Sequence, residues 1–143
     1  MRKTLTTLAA VLALASPALA EDELDLVTVV TSDNAQTQLM AMVLTAQAMQ
    51  QGKSVHVLLC GPGGDMALAD APESVTAPQP PRDMNPQGLM KTLMSNGATV
   101  EVCAIYLPGL GADQSVLLEG VGVAAPPAMA GLMADDDTQV WSF

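Results

Sequence analysis

The chain has 143 residues, of which 50% are hydrophobic and only 2% aromatic, and its formal net charge at pH 7 is −10. A surface this acidic repels nucleic acid and anionic lipid, which excludes both as partners. Tyr106, Trp141 and Phe143 are the only aromatic residues, so the core has to be built from Leu, Val, Ala and Met.

Residues 1–20 read as a secretory signal. Arg2 and Lys3 give the charged start, Leu8 to Ala15 an unbroken apolar run, and Ala18-Leu19-Ala20 a small-x-small cleavage site. The run is too short to cross a bilayer, which takes about 20 such residues. The expectation is export to a periplasm, no membrane association after cleavage, and one domain over residues 21–143. Without Arg2 and Lys3, three basic groups stand against fifteen acidic ones, a net of −12.

Leu24 to Thr31 (LDLVTVVT) reads as a first strand. Asp33-Asn34-Ala35-Gln36 offers an N-cap with a Gln three residues on, a capping-box variant. The helix behind it carries Leu39, Met42, Val43, Ala46 and Met49 as one apolar stripe, and Gly52 ends it. Ser54 to Cys60 (SVHVLLC) is a second strand, which makes a βαβ unit and a parallel sheet with a right-handed crossover.

Gly61 to Gly64 turns the chain sharply, and Asp65 to Asp70 reads as a short helix. Ala71 to Met84 holds Pro72, Pro78, Pro80 and Pro81 and reads as a proline-ordered loop. Asn85-Pro86 is an N-cap with proline at the first helical position, opening a helix that points Leu89, Met90, Leu93 and Met94 inward. Asn96-Gly97 closes that helix. Thr99 to Pro108 (TVEVCAIYLP) then reads as one buried strand, apolar on both faces, followed by a flexible turn at Gly109 to Gly111. A short helix at Asp113 to Glu119, a strand at Val121 to Ala124, a helix at Pro126 to Ala134 and a last strand at Thr138 to Phe143 complete the chain. The alternation specifies an α/β fold, an open three-layer α/β/α sandwich on a mainly parallel five-stranded sheet.

Several motifs fail on inspection. Gly52-Lys53-Ser54 resembles the end of a phosphate-binding loop, but Gln47 stands where the earlier glycine belongs, and the tripeptide follows a helix. Gly61-x-Gly63 lacks its third glycine, Met66 standing there, so no dinucleotide fingerprint exists. His56 is the only histidine and reads as a hydrogen-bonded strand residue; with no second cysteine close by in sequence there is no zinc pattern. Asp135-Asp136-Asp137 is most simply a solvated turn, and the helical spacing of Met42, Met49, Met90 and Met94 reads as core filling. No cofactor or metal is assigned.

What remains is Cys60 and Cys103, each at or near the carboxyl end of a strand, where open parallel sheets hold ligands. Three readings stand beside one another: buried inert thiols, reactive thiols activated by helix N-termini on that edge, or a disulfide favoured by export.

The strand–helix start LVTVVTSDN, the segments VLLCGPGGDMAL and MNPQGLMKTLMSNGATVEVCAIYLP, and the short closing strand together resemble the DsrE/DsrF-like (TusD/YchN-like) family, in an exported branch. The resemblance covers nearly the whole mature chain, and Val100-Glu101-Val102-Cys103 is its most specific part. It implies a homo-oligomer, a trimer or a multiple of one, and sulfur transfer with a sulfur-donor or acceptor protein. It also implies that Cys103 alone is the persulfide carrier; the family pattern does not account for Cys60, which is a candidate resolving or accessory thiol. The family's sheet order brings strands two and three together and hence these cysteines toward each other. Free thiols are expected, because a bridge needs Cα atoms within about 6.8 Å and matched Cβ directions. The alternative function is a non-catalytic periplasmic binding module for a small ligand or a soft metal such as copper.

Overall fold

The computed structural model describes residues 25–143; the segment read as a signal lies outside the described residues. Five strands, β1 (Asp25–Val30), β2 (Ser54–Leu59), β3 (Thr99–Val102), β4 (Gly122–Val123) and β5 (Thr138–Ser142), form one sheet in the order β4-β3-β2-β1-β5. Every neighbouring pair is parallel. The helices are α1 (Ala35–Gln50), α2 (Glu73–Thr76), α3 (Pro86–Ser95), α4 (Tyr106–Leu110) and α5 (Pro126–Met133). Two 3-10 turns, Gly61–Ala67 and Gln114–Val116, stand where short α-helices were expected.

The side-chain alternation of the strands divides the core in two. Leu26, Val30, Val57, Leu59, Val100 and Val102 face a large cluster shared with Met42, Met90 and Leu93 of α1 and α3. On the other face Val27 and Leu58 pack with Ala124 and with Met129 of α5.

Helix α1 differs from the periodicity in phase. Its buried residues are Gln38, Ala41, Met42, Thr45 and Ala48, not the stripe Leu39, Met42, Val43, Ala46 and Met49. One residue of offset rotates the helix by about 100°. The inward polar groups are largely satisfied: Thr45 Oγ1 donates to Ala41 O at 2.7 Å and lies 2.8 Å from Thr28 Oγ1, and Gln38 Nε2 donates to Ser32 O at 2.7 Å. Ala41 and Ala48 are small enough to let the helix lie close on the sheet. The large side chains are left outside, with Met40 53% and Leu44 40% exposed. The N-cap is Asn34, whose Oδ1 accepts from Gln36 N and Thr37 N, both at 3.0 Å, so Asp33 does not cap a box.

The proline loop is built, not loose. It contains α2 and an antiparallel bridge between Gln79 and Met84. Asn85 caps α3 with Pro86 at its start, as the sequence specifies, and Gln87 is buried there with Met90 and Leu93.

The expected strand Thr99 to Pro108 ends early. β3 stops at Val102, because β4 offers partners only to Glu101 and Val102. Beyond the ladder the backbone bonds to itself: Tyr106 N donates to Cys103 O at 2.9 Å and Gly109 N to Ile105 O at 3.0 Å. Pro108 fits because its missing N–H falls in the first turn of α4. Gly111, expected in a flexible turn, is the left-handed C-cap of this helix, with φ 67°.

Candidate functional site

The parallel ladder delivers both cysteines to the carboxyl edge of the sheet. Cys60 follows β2 directly, and its N–H donates to Val30 O at 3.0 Å. Cys103 follows β3, and its N–H donates to Leu59 O at 2.8 Å. Since β2 and β3 pair with Leu59 opposite Val102, the next residue of each strand is a cysteine, and the two thiols stand side by side. Both are free and half-buried. They lie away from the strand pair where the order of connection reverses, which is β1 and β5.

The thiols are not equivalent. Cys60 is pushed up from 9.0 to about 12, first by burial, then because its S–H is directed at Cys103 and a charge there opposes a second one. An acid whose native pKa lies above its unfolded value stabilises the fold below the unfolded pKa. For Cys60 that contribution is lost as pH rises from about 9 to about 12. At pH 8 the expected result is no iodoacetamide label on Cys60 in the folded protein. In Cys103→Ser the same thiol should label at lower pH than in the parent, because the neighbouring sulfur is gone. Peptide mass spectrometry across a pH series checks both; identical profiles in the two proteins would refute the coupling.

Cys103 borders two clefts. One, of about 410 Å³, is lined by Gly61, Pro62, Asp65, Ile105, Tyr106, Gly109 and Leu110. There Tyr106 Oη donates to Asp65 Oδ1 at 2.8 Å. Burial raises the Tyr106 pKa, followed by Asp65 and then Cys103, so the phenol keeps its proton. The second cleft, about 270 Å³, runs between Cys103 and α5 and is lined by Leu58, Ala124, Met129 and Met133 among others. Neither cleft is lined by lysine or arginine. Arg82 instead lines a larger groove of about 620 Å³ between α1 and the proline loop, with Leu39, Met40, Val43 and Pro81. His56 is satisfied on the open part of the sheet, with Nε2 2.8 Å from Glu101 Oε2.

Sequence reading singled out the two cysteines and missed Asp65 and Tyr106. Tyr106 was hidden in an expected strand, and Asp65 stands in the 3-10 turn that packs on it. The available signal was Gly63-Gly64: a Cβ on Gly64 would lie 2.3 Å from the Tyr106 ring, so a bare backbone is required there.

The DsrE/DsrF-like family profile matches residues 24–141. No curated protein is detectably similar in sequence. Among solved structures, the chain is similar to the ychN protein from E. coli, with a TM-score of 0.66 and 17% identity over 83% of this chain and 98% of that one. It is also similar to the protein of unknown function MTH1491 from Methanobacterium thermoautotrophicum, with a TM-score of 0.62 and 15% identity over the same shares. At these identities the structures speak for the fold.

Proposed function

The chain belongs to the DsrE/DsrF-like family, and on that premise we propose that it carries sulfur as a persulfide on Cys103, with Cys60 as the accessory thiol. The observation that carries this reading is the thiol pair at the sheet edge, of which Cys103, and not Cys60, borders the two clefts described above. A donor reaching this edge through the clefts meets Cys103, so the role of nucleophile falls to it. Its thiolate attacks the outer sulfur of a donor persulfide, R–S–SH. The donor's S–S bond breaks, the R–S group leaves with the electron pair and takes up a proton, and Cys103 retains the outer sulfur as its own persulfide. Transfer to an acceptor thiolate repeats the exchange in the other direction, with no net oxidation.

Two further features fit this role. Ile105 is 78% and Leu110 51% exposed at the rim of the Cys103 cleft, an apolar edge suited to a docking protein. The cleft has no cation of its own, so a basic donor or acceptor protein would supply the charge facing the persulfide, steered by the acidic surface. Export to the periplasm through residues 1–20 is part of the same proposal.

Purified protein incubated with a low-molecular-weight persulfide should gain one sulfur atom by intact mass. Cys103→Ser should lose that gain and Cys60→Ser should keep it. Loading on Cys60 alone, or no faster than on a small free thiol, would overturn the reading.

Self-association is also proposed, through the outer face of α1 and the proline loop. Its support is the run of large apolar side chains there, Leu39, Met40, Val43 and Leu44, beside a groove of about 620 Å³. Light scattering at tens of micromolar is expected to return a multiple of the chain mass, three being the first expectation. A monomer mass would refute it.

A further inference from the structure

Two groups of methionines in this chain stand in contrasting settings. Met42, Met66 and Met90 are fully buried in the larger core, where a thioether serves as a filler. Met129 and Met133 are one helical turn apart on α5, so they share a helix face, and that face borders Cys103 across an open cleft. Cys60, Cys103, Met129 and Met133 belong to one small cluster, and Cys103, Met129 and Met133 line one open cleft.

The chemistry of that cleft is narrow. Its other lining residues are Leu58, Ala104, Ala124, Pro126 and Ala130, so the side-chain heteroatoms bordering it are all sulfur. Hard cations such as Ca²⁺ and Mg²⁺ require oxygen ligands, which these side chains do not provide. Thiolate and thioether donors together select a soft cation, and Cu(I) suits a set half made of thioethers better than Zn²⁺, whose protein sites use Cys, His and carboxylate.

We propose that Cys60, Cys103, Met129 and Met133 form a Cu(I) site under α5. Cu(I) enters as Cu(I), so no electron is exchanged. Both thiols give up their protons to solvent as the two Cu–S bonds form, and the thioethers coordinate as neutral donors. Proton release makes the affinity rise with pH. Two thiolates and one Cu(I) leave a single negative charge, which is less costly beneath α5 than two bare thiolates. The site uses the same cysteines as persulfide transfer but needs α5, which the sulfur-exchange step does not.

The test is an anaerobic titration of purified, reduced protein with Cu(I) against a chromophoric Cu(I) chelator, with X-ray absorption on the loaded protein. The expected result is one Cu(I) per chain in an all-sulfur environment, released by Cys103→Ser and by Cys60→Ser. In Met129→Leu/Met133→Leu, which keeps side-chain volume, affinity should fall about tenfold or more, on the scale of losses seen when a metal site's supporting groups are removed. Circular dichroism of that variant separates a binding defect from a folding one. Binding unchanged in a folded double leucine variant would overturn the four-sulfur site, as would nitrogen or oxygen ligation in the absorption spectrum or failure to hold Cu(I) against the chelator. A protein that loads no persulfide yet holds Cu(I) in this way would refute the sulfur-carrier reading and leave this one standing.

Discussion

Gly63→Ala is expected to lower the unfolding free energy by about 3 kcal/mol, the upper end of what overpacking a well-filled site costs. A Cβ on Gly63 would lie 2.2 Å from Val30 O and 2.8 Å from Val30 C, both backbone atoms at the end of β1. A side-chain neighbour could rotate away, whereas this one can retreat only by moving the strand. Val30 O also accepts the Cys60 N–H at 3.0 Å, so the displacement would open the ladder where it delivers the first thiol. Gly131→Ala is the control: nothing lies within 4 Å of the new methyl, and the position is inside α5. There alanine should stabilise by about 0.5–1 kcal/mol through helix propensity. Urea denaturation of the two variants checks the pair. A Gly63→Ala protein within 1 kcal/mol of the parent would show that the turn after Cys60 is free to leave β1.

Met42→Ala is expected to cost about 2–5 kcal/mol, the range for emptying a fully buried large side chain. Met42 is completely buried, between α1 and the sheet. Leu44→Ala, on the outer face of the same helix, should stay within about 0.5 kcal/mol in the isolated chain. If that face joins copies of the chain, the Leu44 effect becomes concentration-dependent, as dissociation and unfolding are then linked. Thermal melts at two protein concentrations read both effects. Equal losses from the two variants at all concentrations would mean that the helix buries both faces in the folded chain itself.

The contrast between Met42 and Leu44 shows what periodicity conveys. A 3.6-residue pattern identified α1 and ended it correctly at Gly52, yet its phase was off by one residue. Hydrophobicity ranks Leu39 and Val43 above Ala41 and Thr45, but close approach to a sheet rewards small side chains. Thr45 is acceptable inside because Thr28 and the Ala41 carbonyl take its hydroxyl. The Ala41 carbonyl is local to the helix, but Thr28 on β1 is not visible from the helix sequence.

The strand carrying Cys103 makes the same point differently. Val100 to Val102 was legible as a strand, and the apolar run to Pro108 extended it because composition does not reveal where partners end. The ends of β2 and β4 decide that: the Cys103 N–H makes a last bond to Leu59 O, and the chain then turns into α4. That turn brings Tyr106 onto Asp65 and forms the cleft beside the thiol.

Read alone, the sequence established the parallel α/β/α architecture, the Asn85-Pro86 start of α3, the glycine ends of α1 and α3, and the place of Cys60 at the end of its strand. Each is a local property, fixed by caps, turn residues and alternation within a few residues. Through the family it resembles, the sequence also placed strands two and three side by side. Tertiary packing set which face of α1 is buried, where β3 ends and so puts Cys103 at a strand end, that Asp65 and Tyr106 share the Cys103 cleft, and that Met129 and Met133 line a second cleft with Cys103. These depend on close packing between distant segments, where the free energy of a side chain is set by the neighbour it meets and not by the residues beside it in the chain.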